Sequence, residues 1–124
     1  MPSKSIGDLS WIGRREDIRK VKAAGKRLAS NHFGVWACKQ AGRELPRASV
    51  GVITGRGFEN AVSRNAAKRR GKSCAMDLRE LFEPGWAYLI ECKPGVQEEE
   101  YKELVKELEK GLKALSNWVK EERR

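Results

Sequence analysis

The segment ENAVSRNAAKRRGKS, residues 59–73, carries five basic side chains, a single acid at its first position and almost nothing bulky. It can be a solvated helix face or a surface built to meet something negatively charged. A helix turns about 100° per residue, which puts Arg64, Lys68, Lys72, Asn65 and Arg69 on one arc of roughly 140°. Arg79 joins that arc if the helix runs on to Phe82. The opposite arc holds Ala67, Gly71, Cys74, Leu78 and Leu81. Small residues there let a helix axis lie close to a sheet, a reason to tolerate the roughly 1 kcal/mol of helix propensity that Gly71 costs relative to alanine. The basic arc has no matching acids. Solvated helices mix signs and gain from opposite charges four residues apart, whereas Arg64, Lys68 and Lys72 repel one another at that spacing. A polyphosphate removes the repulsion. Five such contacts give a salt slope near about −4 in log K.

The totals support the second reading. The chain has 124 residues and a formal net charge of +9. Its length fits one domain, residues 1–124, with about the first 12 expected to be a flexible segment. The charge belongs to the body: residues 1–97 hold 19 Lys and Arg against 9 Asp and Glu, and residues 98–124 hold 7 against 8. Basic domains of this kind meet nucleic acid or an anionic surface. Cys38, Cys74 and Cys92 form no C-x-x-C pair, and His32 is the single histidine. That rules out an ordinary Cys/His zinc site and points to small buried thiols in a reducing compartment. No apolar run approaches the length of a membrane span, about 20 residues. The opening MPSKSIGDLS lacks the apolar core of a signal peptide, so the expected location is the cytoplasm.

Outward from the basic segment, the elements alternate. RREDIRKVKAAG reads as a short helix, with Glu16 and Asp17 in its first turn, Ile18 and Val21 as its buried contacts, and Gly25 as a stop free to turn left-handed. RLASNHFGVWACK reads as strand structure, QAGRELPR as a polar hairpin connection and ASVGVIT as a strand. After the basic helix, WAYLIEC is a strand. A long amphipathic helix then runs from Gln97 to about Lys120, its stripe Tyr101, Leu104, Val105, Leu108, Leu112, Leu115, Trp118 and Val119. The run Glu98-Glu99-Glu100 suits a helix start. Alternation puts Phe33 and Val35 on one sheet face and Trp36 on the other. Trp36 could stack on unpaired bases, or it could be covered by the first or last helix.

No residues assemble into a protein active site. There is no histidine dyad, no nucleophile with a nearby base and no carboxylate cluster to hold two magnesium ions. A membrane-surface role is disfavoured because the amphipathic C-terminal helix lacks a cationic polar face.

Over most of its length the chain resembles the bacterial ribonuclease P protein component. The resemblance is carried by Val50-Gly51-Val52 and by Asn60-Ala61-Val62-Ser63-Arg64-Asn65-Ala66-Ala67-Lys68-Arg69, which follow the family's V-G-x-x-V strand and N-A-V-x-R-N-R-x-K-R helix. The spacing from Gly25 to Phe33 and the late Lys93-Pro94 also fit. Ala66 replaces the motif's second arginine, Ile18 and Lys22 stand where the first helix has aromatics, and Arg56-Gly57 stands where a lysine pair precedes the motif. The chain thus looks like a divergent member.

The resemblance implies an α+β fold in the order α-β-β-β-α-β-α. This is a two-layer sandwich with a four-stranded sheet and a left-handed βαβ crossover, of the kind in the second domain of ribosomal protein S5. It also implies a subunit of a ribonucleoprotein endonuclease in which the RNA does the chemistry. Its partners are then the catalytic RNA and precursor tRNA, with neither DNA nor a membrane. Arg64, Asn65, Lys68, Arg69, Lys72 and Arg56 are the RNA-binding residues, and Trp36, Ile18 and Lys22 belong to the cleft for the 5′ leader. Mg2+ is the metal of the complex, bound mainly by the RNA, with Asn65 touching its water shell. The alternative is a non-catalytic, ribosome-associated RNA-binding module of similar fold, and behind it a stand-alone protein nuclease.

Overall fold

The computed structural model describes residues 9–40 and 47–122, the side chains of 120–122 excepted. The elements are β1 (Ser10–Trp11), α1 (Arg15–Ala24), β2 (Lys26–Ala29), β3 (Phe33–Lys39), β4 (Ser49–Thr54), α2 (Ala61–Asp77), a 3-10 turn (Arg79–Leu81), β5 (Trp86–Cys92) and α3 (Tyr101–Glu122). The strands form one mixed sheet in the order β1-β4-β5-β3-β2. β4 and β5 are parallel neighbours joined through α2, while β3 pairs antiparallel with both β5 and β2.

The main core lies between the sheet and the pair α2 and α3. Phe33, Val35 and Ala37 of β3 point into it, with Val50 and Val52 of β4 and Trp86, Tyr88, Ile90 and Cys92 of β5. From α3 come Leu104, Leu108, Leu112 and Leu115, each no more than 1% exposed. At about 1.5–3 kcal/mol per buried leucine, these four contribute on the order of 10 kcal/mol of gross stabilisation. The expected stripe is therefore the packed face of α3. Trp118 closes one end of it against Trp86, with ring centroids 5.4 Å apart, edge to face.

The two-layer arrangement describes the sheet with α2 and α3. The opposite face carries α1, whose Val21 packs with Trp36, Ala87 and Leu89 into a second, smaller cluster that Ile18 flanks.

Several expectations are corrected. The sheet has a fifth strand beyond the four expected, because Ser10–Trp11 pairs in parallel with Ser49–Val50. The N-terminal segment expected to be flexible to about residue 12 is held from Leu9 on. Leu9 is buried, Ser10 N–H donates to the Ala48 carbonyl at 2.9 Å and Ile12 N–H to the Val50 carbonyl at 2.8 Å. Residues 1–8 lie outside the described residues, as do 41–46 of the expected polar connection. Gly25 does end α1, but in an extended conformation with φ −84°. A side chain there would stand 2.5 Å from the Val21 carbonyl oxygen and 3.0 Å from that of Ala37, so the position is small because the last turn of α1 and β3 both crowd it. The helix expected to reach Phe82 ends at Asp77. The α3 helix begins at Tyr101, and Glu98 and Glu99 belong to the preceding turn, their N–H groups donating to the Gly95 carbonyl.

Candidate nucleic-acid interface

The α2 helix is fixed at its start by Asn60, whose Oδ1 accepts from Ser63 N–H at 2.9 Å. Asn60 is the first asparagine of the N-A-V-S-R-N motif, and its task is capping. The rear of the helix is seated tightly: Ala67, Cys74 and Ala75 are fully buried and Leu78 nearly so. A Cβ on Gly71 would lie 2.6 Å from Cys92 Sγ and 3.0 Å from Val52 Cγ1, so only a glycine fits this close approach to β4 and β5.

That seating turns the other arc outward. Arg64, Asn65, Lys68, Arg69 and Lys72 are all exposed, and Arg56 is exposed in the turn that leads from β4 to α2. Among the described residues, no carboxylate lies within ion-pair distance of any of these cations. The ion pairs are elsewhere: Arg27 with Glu91, His32 with Glu99 and Glu107, Lys106 with Glu103, and Lys113 with Glu109. The positive potential of α2 is therefore left uncompensated, as a polyanion site requires.

Two arginines next to the arc have different work. Arg70 Nη1 donates to the Val96 carbonyl at 2.9 Å, and its guanidinium lies 5.9 Å from the Tyr101 ring centre, tying α2 to the approach of α3. Arg79, which the helical projection put on the basic arc, sits in the 3-10 turn and donates to the Met76 carbonyl at 2.8 Å. It is no part of the exposed surface on α2.

The cleft residues inferred from the family lie on the other side of the sheet. Trp36 is 8% exposed. Lys22 Nζ stands 5.4 Å from its ring centre and the Arg27 guanidinium 5.0 Å, so two cations shelter the indole and α1 covers it with Val21. Of the two readings of Trp36, the covered one holds, and what faces solvent there is the charge of Lys22 and Arg27. Arg27 was missed from sequence, although its pairing with Trp36 in the β2–β3 register places it there. Next to this cluster a cleft of about 880 Å3 opens between the β1–α1 connection and the sheet. Arg14, Lys20 and Lys39 edge it, and Ser49 and Ala87 line it too; Ile18, Lys22 and Trp36 do not.

The remaining polar cluster is structural. Glu107 of α3 accepts from His32 N–H at 2.6 Å, contacts His32 Nδ1 at 2.7 Å and accepts from the Ser30 hydroxyl. Burial raises the Glu107 carboxyl pKa, but the hydrogen bonds from Ser30 and His32 outweigh it and hold the value below the usual glutamate range. The two buried thiols are poorly reactive: burial pushes Cys74 up to about 11 and Cys92 up to about 12. No group of three His, Cys, Asp or Glu side chains among the described residues is arranged to hold a metal ion. The donor set does not suit a protein-held magnesium, and no described helix is long and apolar enough to cross a membrane.

Comparison with known proteins places this geometry. The family model for ribonuclease P matches residues 10–116. The ribonuclease P protein component of Syntrophobacter fumaroxidans is 29% identical over 94 residues, covering 75% of this chain and 76% of that one. The Geobacillus thermodenitrificans protein of the same name is 30% identical over 97 residues, 78% of each chain. Among solved structures, the RNase P protein of Thermotoga maritima superposes with a TM-score of 0.70 at 19% identity, covering 85% of this chain and 96% of that one. That of Staphylococcus aureus gives 0.69 at 18% identity, covering 90% and 96%. The structural likenesses bear on the fold, which is α+β in all. The match across residues 10–116, with the outward basic arc at its centre, shows that the chain belongs to the ribonuclease P protein family.

Proposed function

We propose that this chain is the protein subunit of ribonuclease P, a ribonucleoprotein that removes the 5′ leader of precursor tRNA. Its α2 surface holds the catalytic RNA. The observation that carries the reading is the uncompensated basic arc of Arg64, Lys68, Arg69 and Lys72, turned outward on a helix whose rear cannot move. Arg56 extends the arc, and Asn65 lies within it as a hydrogen-bonding group. Bond cleavage belongs to the RNA, and Mg2+ is held by RNA phosphates rather than by this chain. The leader meets the α1 face, where Lys22 and Arg27 over Trp36 offer charge above a covered indole and Ile18 lies alongside. The RNA-binding helix and the leader-binding face are on opposite sides of the sheet, so the chain sits between catalytic RNA and substrate. Such a complex works in the cytoplasm, where precursor tRNA is made.

Reconstitution tests this. The purified chain, mixed with a bacterial ribonuclease P RNA at low magnesium, should restore cleavage of precursor tRNA where the RNA alone is slow. Arg64→Ala and Lys68→Ala should each weaken RNA binding and lower the salt slope by about 1. Lys113→Ala, on α3 and paired with Glu109 at 3.1 Å, should do neither. No stimulation would point to a non-catalytic RNA-binding module instead, and cleavage by protein alone would make it a nuclease in its own right.

A further inference from the structure

We infer that Trp11 is a stacking platform for an unpaired base of the RNA that runs along α2, extending the basic surface onto the edge of the sheet. The inference rests on the RNA-binding reading of α2 and adds a contact to it.

Trp11 is an aromatic side chain 43% exposed at the end of a sheet, and the only other exposed large apolar residue among those described is Val62. Its backbone is nonetheless fixed, because the residues on either side are hydrogen-bonded to the neighbouring chain segment, Ser10 to Ala48 just before β4 and Ile12 to Val50 within it. An indole on a fixed backbone has only its two side-chain torsions to lose when a flat partner lies on it. The register gives its direction. Trp11 pairs with Val50, whose side chain is in the α2 core, so Trp11 faces the α2 side of the sheet, while Ile12 packs over Gly51 on the α1 side. Lys72, at the C-terminal end of the basic arc, completes the site with its ammonium 5.8 Å from the ring centre.

The two groups make a chemical pair that fits a nucleotide. The ammonium neutralises a phosphate, and the indole face takes the base next to it. Stacking of this kind is tolerant of sequence because every base has a π-face. A strand that follows Arg64, Lys68 and Lys72 along the helix arrives at Trp11 at the end of the row. The base must be unpaired, since one inside a duplex shows only its edge. Trp36 plays no such part, because its ring is 8% exposed and packs under α1 with Val21.

The test uses the full chain, a short single-stranded oligoadenylate, and inorganic polyphosphate, which carries the charge without bases. Trp36 and Trp86 are buried and Trp118 is partly so, which makes Trp11 the indole open to a ligand. Oligoadenylate should quench tryptophan fluorescence in the wild type and not in Trp11→Phe, which keeps an aromatic at the site and the fold with it. Trp11→Ala should weaken oligoadenylate binding about tenfold and leave polyphosphate binding unchanged. Equal oligoadenylate affinity in wild type and Trp11→Ala would overturn the inference. So would an equal loss for polyphosphate, or a fluorescence response to phosphatidylglycerol vesicles in place of oligoadenylate. Arg64→Ala separates the two readings. If it weakens binding while Trp11→Ala is silent, only the stacking contact falls; if it too is silent, the RNA-binding helix falls with it.

Discussion

Gly71 and Cys92 meet across the interface of α2 with β5, so closely that a methyl group on the glycine would stand 2.6 Å from the cysteine sulfur. Cys92 is fully buried, which leaves the sulfur little room to turn away. Replacing Gly71 by alanine gains about 1 kcal/mol of helix propensity, but overpacking a tight core costs about 1–3 kcal/mol. Gly71→Ala should therefore lower stability by about 1 kcal/mol, read as a reduced urea midpoint at unchanged slope. Adding Cys92→Ala should recover part of the loss, because the two substitutions share one contact. A more stable single variant would show that α2 is not seated as described.

The two asparagines of the α2 motif should separate by assay. Asn60 caps the helix, and Asn60→Ala should cost about 1 kcal/mol of stability while Asn60→Asp costs little. Asn65 is exposed and its side chain bonds to no described residue, so Asn65→Ala should leave the melting curve unchanged and act on RNA affinity alone. Thermal melts and filter binding on the same three variants decide it. Loss of stability in Asn65→Ala would contradict the assignment.

Adjacent arginines give a sharper contrast. Arg70 is partly buried and donates to the Val96 carbonyl, so Arg70→Ala leaves that acceptor short of a partner and should destabilise the fold by about 1–2 kcal/mol. Arg69 is exposed and unpaired among the described residues, so Arg69→Ala should change stability by less than about 0.5 kcal/mol and weaken RNA binding instead. Chemical denaturation together with RNA titration at fixed salt reads both, and similar stabilities for the two variants would refute the division of labour.

How much of this was legible in the sequence follows from the strength of each pattern. The α3 stripe and the two-sided character of α2 were legible because many residues repeat at helical spacing, and the structure buries the expected side in each. The end of α2 was not. No glycine or proline stands between Gly71 and Pro84, and the break comes from Leu78, whose backbone (φ −108°, ψ 18°) turns the chain into a 3-10 segment and takes Arg79 out of the arc. Strand β1 is two residues long, too short to show alternation, and without it Trp11 had no direction. The covering of Trp36 depended on which sheet face α1 chooses. A ten-residue helix with one fully buried side chain, Val21, carries too weak a stripe to decide that. The acids at 98–100 suited a helix dipole, but Glu99 instead stands 3.6 Å from His32 Nε2, a partner far away in sequence.

The thiols offer a check on packing that is independent of RNA. Cys74 and Cys92 are buried and their pKa values are pushed up to about 11 and about 12, while Cys38 is only half-buried, its pKa also raised by burial. A thiol reagent at mildly alkaline pH should modify one cysteine in the native protein and all three after unfolding. Mass mapping should place the first adduct on Cys38, and early labelling of Cys92 would mean that α2 opens away from the sheet.

Glu107 ties the β2–β3 turn to α3, and the pH dependence of its contribution has a definite sign. Its folded pKa is lowered, with burial opposing and the Ser30 and His32 hydrogen bonds prevailing. A group of this kind stabilises the fold fully above its unfolded pKa, about 4.3 for glutamate, and the stabilisation disappears as pH falls through the lower folded value. Glu107→Gln keeps the shape and removes the charge. The variant should therefore be less stable than the wild type at neutral pH, by roughly 1 kcal/mol for hydrogen bonds to a charged, partly exposed acceptor. The difference should hold down to about pH 5 and shrink below the unfolded pKa, because there the wild-type carboxyl is also being neutralised. Urea midpoints of the two proteins measured in parallel across that range check it, since titrations of groups that do not touch Glu107 cancel in the difference, and a Ser30→Ala variant, which leaves His32 in place, reads the hydroxyl contact by itself. A gap that stays constant into strong acid, or one that widens there, would mean that the Glu107 charge is not what holds the turn.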